Sequence, residues 1–407
     1  MSCATGMSAS SSSVPKPRCR HFGACGGCQL QDLSYEQQLL SKSERVERLL
    51  KPLGVPLGQA RPAPQAWQYR NKMEFSFGDV YPPAPGGPAL KLGLKPQGRW
   101  YEILDLSECF LLSEETPGLL ESVRRWAVEE GLPPFNSRRR VGLLRHLVLR
   151  EGKNSGERMV VLVTSPGDIP RQSFIDAVLR AYPATTIVRG VNGKASDTAV
   201  CDRLAALLGP GFIFEELRLG GRRLRYRISP QSFFQTNTGG AEALYSLLLE
   251  WAGELGPRAA LDLYCGGGGI ALALAGVCGK VYGAELNAAA VEDARANAEL
   301  NAIANAGFFT GSVETLLPSL LALGADLAVV DPPRAGLHPA AVKALAAGGP
   351  PSLLYVSCNP ESLARDLGAL AGHYSPRRAA VLDLFPQTRH VETVVQLDRT
   401  GSGPSLL

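Results

Sequence analysis

A cysteine in the last fifth of the chain lies where it could act as a nucleophile. Cys358 follows the apolar stretch Leu353 to Val356, which predicts a buried strand, and precedes Asn359 and Pro360, which suit the N-cap and first turn of a helix. A helix N-terminus favours thiolate over thiol, so we expect a lowered pKa for Cys358. A lone cysteine is more often an inert core residue, so this assignment depends on its neighbours.

Two residues beyond the next predicted strand could accept a proton. His390 and Glu392 follow the stretch Ala379 to Phe385. A thiolate that adds to carbon 6 of uracil makes carbon 5 nucleophilic enough to take a methyl group, and a base must then remove the carbon 5 proton. We expect Glu392 to be this base, because burial can raise the pKa of a carboxylate towards neutrality. An exposed ion pair between the two residues is the alternative.

A rigid turn begins at Asp331, which is followed by Pro332 and Pro333. It ends a predicted strand, and ligands of open α/β sheets bind beyond the carboxyl ends of the strands. The turn could therefore present a carboxylate to a planar polar base. N-methyltransferases hold an amine with a similar turn, so amine methylation, which would need neither Cys358 nor Glu392, is an alternative.

The segment Asp262 to Gly268 predicts a glycine turn between a strand and a helix. Its spacing, D-x-x-x-G-x-G, differs from the G-x-G-x-x-G of dinucleotide sites and resembles that of class I methyltransferases. Glu285 ends the next predicted strand, where its carboxylate could accept hydrogen bonds from both hydroxyls of a ribose. Together they predict a methyl-donor site, whereas an ordinary turn and a surface glutamate are the alternative.

Three of the nine cysteines lie within ten residues, at Cys19, Cys25 and Cys28. The odd number and uneven spacing argue against a disulfide framework and favour a reducing cytoplasm. Clustered cysteines there suit a soft metal or an iron–sulfur centre. Four others are predicted to be bystanders or packing residues: Cys3, Cys201, Cys265 and Cys278.

The composition is that of a soluble globular chain of two or three domains. Of its 407 residues, 45% are hydrophobic and 20% charged. No run of about eighteen apolar residues occurs, so no membrane span is expected. The serine-rich stretch Met1 to Pro17 predicts a flexible leader rather than a secretory signal. The net charge of +4 neither demands nor excludes nucleic acid.

The pattern divides the chain into a disordered leader at 1–18, a cysteine segment and helix at 19–60, a mixed α/β domain at 61–228 and an α/β domain at 229–407. The helix should begin at the capping box formed by Ser34 and Gln37. In the last part, apolar strands alternate with helices, which predicts a doubly wound sheet. The predicted strands are Lys72 to Phe77, Leu143 to Arg150, Met159 to Thr164, Ala260 to Tyr264, Val281 to Leu286, Ala325 to Asp331, Leu353 to Cys358 and Ala379 to Phe385.

Arginines are concentrated at 138–145 and 222–227. In the second stretch they alternate with Leu224, Tyr226 and Ile228, which predicts a strand with one apolar and one cationic face. The cationic face could be solvated or could contact RNA phosphates.

Six ordered motifs, spread over the chain from Cys19 to Leu397, resemble those of the uracil-C5 RNA methyltransferase family, which modifies bacterial 23S rRNA and the T-loop of tRNA. The motifs are Cys19 to Cys28, Ser229 to Asn237, Asp262 to Gly268, Asp331 to Arg334, Ser357 to Pro360 and Phe385 to Glu392. The resemblance implies a class I methyltransferase domain, a Rossmann-like doubly wound α/β sheet, preceded by a mixed α/β domain with a cysteine-ligated cluster.

The same resemblance implies roles for single residues. S-adenosyl-L-methionine would contact Gln235, Tyr264, Glu285 and Asp331, of which Asp331 could also face the uracil. Cys358 would be the nucleophile and Glu392 the base. A [4Fe–4S] cluster that supports folding or RNA binding would be held by Cys19, Cys25, Cys28 and Cys109, with zinc as the second possibility because four thiolates also suit that ion.

The chain departs from the family pattern at two positions, where Gly269 replaces a common Asn and Ser312 a common Asp or Asn. The small N-terminal RNA-binding barrel of many relatives is expected to be absent, which would shift RNA contacts to the arginines. We expect a cytoplasmic monomer that binds no membrane and methylates a uridine of 23S rRNA. The T-loop of tRNA is the second candidate, and a non-catalytic iron–sulfur RNA-binding protein is the third.

Overall fold

The computed structural model describes residues 15–80, 90–99 and 101–401. The predicted leader up to residue 14 and Cys3 lie outside these ranges. Within them, every helix is too short or too polar to cross a bilayer.

The first helix, α1 (Tyr35–Leu50), begins at the predicted capping box. The Ser34 hydroxyl accepts a hydrogen bond from the Gln37 amide at 3.3 Å, and the Gln37 side-chain oxygen accepts one from the Ser34 amide at 2.9 Å. This reciprocal pair satisfies two of the amides that a helix start leaves without partners. The prediction for this helix is confirmed.

A seven-stranded sheet follows, in the order β3-β2-β1-β4-β5-β6-β7. All its neighbouring strands are antiparallel except β5 and β6. Glu151, the last residue of β4, pairs with Arg158, the first residue of β5, so the two strands form a hairpin. The elements of this part are β1 (Lys72–Asp79), β2 (Leu90–Leu94), β3 (Leu104–Asp105), α2 (Thr116–Glu129), β4 (Leu144–Glu151), β5 (Arg158–Thr164), α3 (Arg171–Ala181), β6 (Thr186–Val191) and β7 (Arg203–Leu208).

The strands β8 (Ile213–Leu219) and β9 (Arg222–Ile228) form a separate hairpin. On β9, Tyr226 and its apolar neighbours are buried and Arg223 is exposed, as the alternation predicts. Arg145 departs from the expectation of a free cationic cluster. It is 3% exposed, and its guanidinium donates hydrogen bonds to the carbonyls of Lys194 and Ser196. These buried contacts stabilise the fold, so the guanidinium is not available to bind an RNA phosphate.

The last part contains a second seven-stranded sheet, in the order β12-β11-β10-β13-β14-β16-β15. Its first five strands in this order are parallel, whereas β16 runs antiparallel to both of its neighbours. Its elements are α4 (Thr238–Leu255), β10 (Ala259–Leu263), α5 (Gly269–Leu274), β11 (Lys280–Glu285), α6 (Ala288–Leu300), β12 (Ala306–Thr310), α7 (Val313–Leu321), β13 (Leu327–Val330), α8 (Pro339–Gly348), β14 (Ser352–Ser357), α9 (Pro360–Leu370), β15 (Tyr374–Leu382) and β16 (Glu392–Arg399).

Helices cover both faces of this sheet, so the predicted doubly wound fold is confirmed. One face packs against α4, α5, α6 and the β8–β9 hairpin, and the other against α7, α8, α9 and the N-terminal helix α1. Val46 and Leu50 of α1 are fully buried in this second core. A helix near the start of the chain therefore belongs to the core of its last part. The domain boundaries at residues 60 and 228 stay predictions.

Candidate active site

The strand order of the second sheet brings the predicted catalytic residues to one edge. Asp331 directly follows β13, Cys358 directly follows β14, and Glu392 begins the antiparallel β16. Ser357 and Thr393 are paired across β14 and β16, so the next positions along the ladder are Cys358 and Glu392. Opposed residues of an antiparallel pair have α-carbons about 4.5–5.5 Å apart, so nucleophile and base face the same space.

One cavity of about 700 Å³ opens at this edge. Ligand sites commonly occupy about 300–1,000 Å³. Its lining includes every residue predicted to bind the donor or to react: Gln235, Tyr264, Glu285, Asp331, Cys358 and Glu392.

The glycine turn and Glu285 form the donor end of the cavity. The Glu285 carboxylate accepts hydrogen bonds from the backbone amides of Gly266 at 3.1 Å and Asn287 at 2.8 Å. Tyr264 has a φ of 70°, in the left-handed region that non-glycine residues rarely adopt. The turn therefore holds the carboxylate in one position at the strand end and brings Tyr264 into the cavity wall.

The presence of glycine at position 269 is explained by the position of its neighbour Tyr245. A β-carbon at position 269 would overlap the Tyr245 hydroxyl, and the Tyr226 hydroxyl donates to the Gly269 carbonyl at 3.1 Å. The two tyrosines fill the space that the common Asn side chain would need. Ser312, the second departure from the family pattern, lines the cavity, and its hydroxyl lies 2.8 Å from that of Thr315.

Asp262 lies beneath the glycine turn and is fully buried. Among the described residues, neither oxygen of its carboxylate has a partner at normal hydrogen-bond geometry, although the Ala271 backbone amide is near enough to affect it. Burial, with a smaller contribution from the charge of Asp331, raises its pKa to about 8, against the opposing effect of the Ala271 backbone. Asp262 is therefore mostly protonated at neutral pH, and sequence reasoning assigned it no role.

Gln235 belongs to a segment that touches several parts of the molecule. Its side-chain amide lies 3.4 Å from a carboxylate oxygen of Asp331, and its carbonyl accepts a hydrogen bond from Asn71 at 2.8 Å. Two residues later, Asn237 caps α4 and donates to the carbonyl of Leu384 at 2.9 Å. The motif thus joins the first sheet to the catalytic edge of the second.

Glu392 and Asp331 are two carboxylic acids that line the same cavity. Glu392 is 3% exposed, and burial, reinforced by the charge of Asp331, raises its pKa well above the ordinary value. Burial also raises the pKa of Asp331. A carboxylate that is poorly solvated binds a proton readily, which suits Glu392 for the role of base.

The prediction of a lowered pKa for Cys358 is wrong. Burial raises the pKa of this thiol, and the carboxylates of Glu392 and Asp331 raise it further, whereas Arg334 opposes them. Asn359 does cap α9 as predicted, with its side chain accepting from the Glu361 amide at 3.2 Å. The helix N-terminus is thus present, and burial and the two facing acids act in the opposite direction.

Arg334 is the main feature of the site that sequence reasoning missed. It lines the cavity, and its guanidinium lies 2.7 Å from the Nδ1 atom of His390. Burial and this cation lower the pKa of His390 to about 4, so the histidine is neutral and its Nδ1 faces Arg334. His390 is not among the described residues that line the cavity, which favours Glu392 as the base. The sequence feature that could have identified Arg334 is its position directly after the Asp-Pro-Pro turn.

The four cysteines predicted to hold a cluster come together between the N-terminal segment and the first sheet. Burial raises the pKa of Cys28 to about 12 and that of Cys109 to about 11, and Cys25 and Cys19 add to both shifts. Burial also raises the pKa of Cys19 and of Cys25. The four sulfur atoms are therefore electrostatic neighbours. All cysteines within the described ranges are free thiols.

The backbone around these cysteines is closely packed. The Gly26 amide donates to the Lys95 carbonyl at 3.1 Å, and a β-carbon at position 26 would lie 2.8 Å from that oxygen. The Gly27 amide donates to the Cys25 sulfur at 3.3 Å. Nevertheless, in the part of the chain that the structure describes, no three His, Cys, Asp or Glu side chains lie close enough to hold a single metal ion.

Relatives of known class are similar to this chain over most of its length. Residues 203–400 match the tRNA (Uracil-5-)-methyltransferase family. A protein of Clostridium tetani described as an uncharacterized RNA methyltransferase is 38% identical over 399 residues, which cover 94% of this chain and 84% of the relative. A second uncharacterized RNA methyltransferase, from Caldanaerobacter subterraneus subsp. tengcongensis, is 38% identical over 391 residues with the same coverage of both chains.

A solved structure is also similar. It is the tRNA (uracil-54, C5)-methyltransferase of Pyrococcus abyssi in complex with S-adenosyl-L-homocysteine, which superimposes with a TM-score of 0.72 at 33% identity and covers 92% of this chain and 86% of that one. These similarities set aside amine methylation and a purely non-catalytic role. The chain belongs to the S-adenosylmethionine-dependent RNA (uracil-5-)-methyltransferase family.

Proposed function

We propose that this protein methylates carbon 5 of a uridine in RNA with Cys358 as nucleophile and Glu392 as base. The observation that carries the proposal is the single cavity in which Cys358 and Glu392 occupy facing ends of paired strands, next to the glycine turn. Methylation at carbon 5 needs both groups on one pyrimidine ring, whereas methylation of an amine needs neither.

The reaction can be written from the residues of the chain. The Cys358 sulfur forms a bond to carbon 6, and the electron pair of the 5,6 double bond moves to carbon 5 and oxygen 4. The electron pair on carbon 5 then forms a bond to the methyl carbon, whose bond to the sulfonium sulfur of the donor would break and leave its electron pair on that sulfur. Glu392 accepts the proton of carbon 5, the electron pair of that C–H bond restores the double bond, and the pair of the C–S bond returns to Cys358.

The residues of the donor end fit S-adenosyl-L-methionine, which supplies an electrophilic methyl group when bound. Glu285 is held by two backbone amides at a strand end, where it would accept hydrogen bonds from the ribose hydroxyls. Tyr264, Gln235 and Asp331 line the cavity between this carboxylate and Cys358. We propose that these four residues bind and orient the donor.

Trapping on RNA that contains 5-fluorouridine tests this mechanism. Fluorine at carbon 5 cannot leave as a cation, so the bond between sulfur and carbon 6 should persist after methyl transfer. Mass spectrometry of the digested complex should find the nucleotide on the peptide that contains Cys358, only when the donor is present. No adduct, or an adduct on another cysteine, would contradict the mechanism.

For the RNA target we propose 23S rRNA first, on the likeness of the cysteine motif to that of family members that modify rRNA. The T-loop uridine of tRNA is the second candidate, supported by the similarity to the Pyrococcus abyssi tRNA (uracil-54, C5)-methyltransferase. Mapping of 5-methyluridine in total RNA from cells with and without the gene separates the two. A site lost from 23S rRNA supports the first candidate, a site lost from tRNA supports the second, and no lost site contradicts both.

We also propose that Cys19, Cys25, Cys28 and Cys109 hold a [4Fe–4S] cluster. In such a cluster each thiolate binds a different iron, so the sulfur atoms stand farther apart than around one ion. Cys109, Cys25 and Cys19 contribute to the raised pKa of Cys28, and Cys25 and Cys19 contribute to that of Cys109, so the four thiols are close enough to interact. Zinc is the second candidate, because four thiolates also suit that ion.

Iron and acid-labile sulfide analysis of protein purified without oxygen tests the cluster. We expect about four of each per chain. Cys201→Ser is a matched control, because Cys201 is a buried free thiol in the segment between β6 and β7, away from the other four cysteines in the sequence. It should keep the iron, whereas Cys28→Ser should lose it. One zinc per chain in the unaltered protein would contradict the assignment.

A further inference from the structure

The base is attached to a loop that the N-terminal segment holds in place. Residues 383–391, here called the base loop, connect the end of β15 to Glu392, the first residue of β16. Leu382 and Glu392 are paired, so the loop closes directly at the base. The direction of the Glu392 side chain therefore depends on how the loop is held.

Gln387 is the centre of this attachment. It is 3% exposed and has a φ of 67°, so a buried polar residue adopts a conformation that only specific contacts maintain. Its carbonyl accepts hydrogen bonds from the amides of Gln29 at 2.8 Å and Leu30 at 3.1 Å. These are the two residues that follow Cys28.

Helix α1 completes the attachment. The Gln38 side chain accepts from the Gln387 amide at 2.8 Å and donates to the Gln387 side-chain oxygen at 3.0 Å, and it also donates to the Leu30 carbonyl at 2.9 Å. One turn later, Lys42 donates to Asp383 at 2.7 Å and to the Phe385 carbonyl at 3.0 Å.

These contacts are buried, so their geometry is costly to change. The Lys42 and Asp383 side chains are 2% and 0% exposed, and Gln38 is 1% exposed. Removing one partner of a buried hydrogen bond leaves the other unsatisfied, at a cost far above that of a surface contact. The loop therefore has one stable position as long as residues 29–42 are in place.

We propose that the N-terminal segment is a positioning element for proton removal, with Gln38 and Gln387 as its positioning residues. The inference rests on the proposed function, in which Glu392 takes the carbon 5 proton. It also proposes a role for the cysteine site, because residues 29 and 30 directly follow Cys28 and are hydrogen-bonded to the base loop. Cys358 lies between β14 and α9, and α1 reaches α9 through the exposed ion pair of Arg45 with Glu361, whereas the hydrogen bonds of Gln38 go to the base loop and to residues 30 and 33.

Adduct formation and proton removal can be measured separately, which allows a selective test. Formation of the adduct on 5-fluorouridine RNA needs Cys358 and the donor but no base, whereas turnover on uridine RNA needs Glu392. Gln38→Met keeps the volume of the side chain and removes its hydrogen bonds. We expect turnover to fall about tenfold to a hundredfold, the range for a misplaced catalytic group, with a methylated adduct accumulating on uridine RNA.

In the same variant the rate of 5-fluorouridine adduct formation, the KM for RNA and the iron content should match the unaltered protein. Gln396→Met is the control, because Gln396 is equally buried but lies in the middle of β16, where it pairs with Leu354 and Arg378 and not with the base loop. Should Gln38→Met fail to fold, Gln387→Gly keeps the left-handed backbone and removes only the side-chain contacts, and the same result is expected.

An equal loss of adduct formation and turnover, or no loss of either, would overturn the inference. Failure of the unaltered protein to form the adduct would instead overturn the proposed function. The two failures are therefore distinguishable in one experiment.

Discussion

The two ends of the cavity are held by different parts of the chain. At the donor end, Glu285 is bonded to Gly266, only 19 residues away in the sequence. At the catalytic end, the loop that carries the base is bonded to Gln38 across 349 residues. The donor end is thus a local strand-turn-helix unit, whereas the catalytic end requires the N-terminal segment and the last strands to fold together. Donor binding should therefore survive changes that stop the chemistry.

Cys358→Ala should give the largest difference between the two ends. Loss of the only nucleophile proposed for the reaction should lower methylation by about 10⁴-fold or more, because carbon 5 is no longer activated. Affinity for S-adenosyl-L-homocysteine, measured by calorimetry without RNA, should stay the same. Methylation at a normal rate would remove Cys358 from the mechanism, and a loss of donor binding would show that the ends are not independent.

Glu392→Gln should slow a later step than Cys358→Ala does. Without a base, turnover on uridine RNA should fall by about 10²–10⁴-fold, and the covalent methylated adduct should build up because the carbon 5 proton stays in place. Denaturing electrophoresis of labelled RNA measures the adduct. A slow enzyme that accumulates no adduct would assign proton removal to another group.

Glu285→Ala should act on the donor end alone. Loss of charge-assisted hydrogen bonds worth about 1.5–3 kcal/mol should raise the KM for the donor about tenfold to a hundredfold. At saturating donor, the rate of 5-fluorouridine adduct formation should be close to normal, because Cys358 is untouched. A fall in the saturated rate with an unchanged KM would contradict the assignment of Glu285 to the donor.

The sequence predicted functional residues best where these residues lie at the ends of strands. Asp331, Cys358 and Glu285 each stand at or directly beyond a strand of the second sheet, and a doubly wound topology must bring such positions to one edge. The strand β16 was not predicted, since Glu392–Arg399 has no clear apolar run and pairs antiparallel. Its position next to β14 is nevertheless what places the base opposite Cys358.

The parts that could not be predicted depend on contacts between distant segments. Gln38 and Lys42 look like ordinary polar residues of an amphipathic helix, and no periodic pattern marks a polar side chain that is buried against a loop 349 residues away. The pKa of Cys358 was predicted in the wrong direction for the same reason. The helix N-terminus is local and visible in the sequence, whereas Asp331 and Glu392 reach the thiol through the sheet.

Gly269→Ala tests the shape of the donor end. The added methyl group would overlap the Tyr245 hydroxyl, so we expect a loss of unfolding free energy of about 1–3 kcal/mol, typical of overpacking, together with weaker donor binding. Tyr245→Phe combined with Gly269→Ala should recover part of both, because the overlapping oxygen is gone. Thermal unfolding and calorimetry measure the two effects. A double variant no better than Gly269→Ala would place the strain elsewhere.

The smallest effect concerns Arg334 and the pH dependence of the catalytic end. The pKa of Cys358 is raised, chiefly by burial, so little thiolate exists at neutral pH, and 5-fluorouridine adduct formation should become faster as the pH rises. Arg334 lowers that pKa, so Arg334→Met should move the profile to higher pH. Arg45→Met is the control, because Arg45 bonds the Arg389 carbonyl of the base loop at 3.3 Å and has no part in the Cys358 shift. A shift to lower pH for Arg334→Met, or an equal shift for Arg45→Met, would mean that Arg334 acts on the loop and not on the thiol.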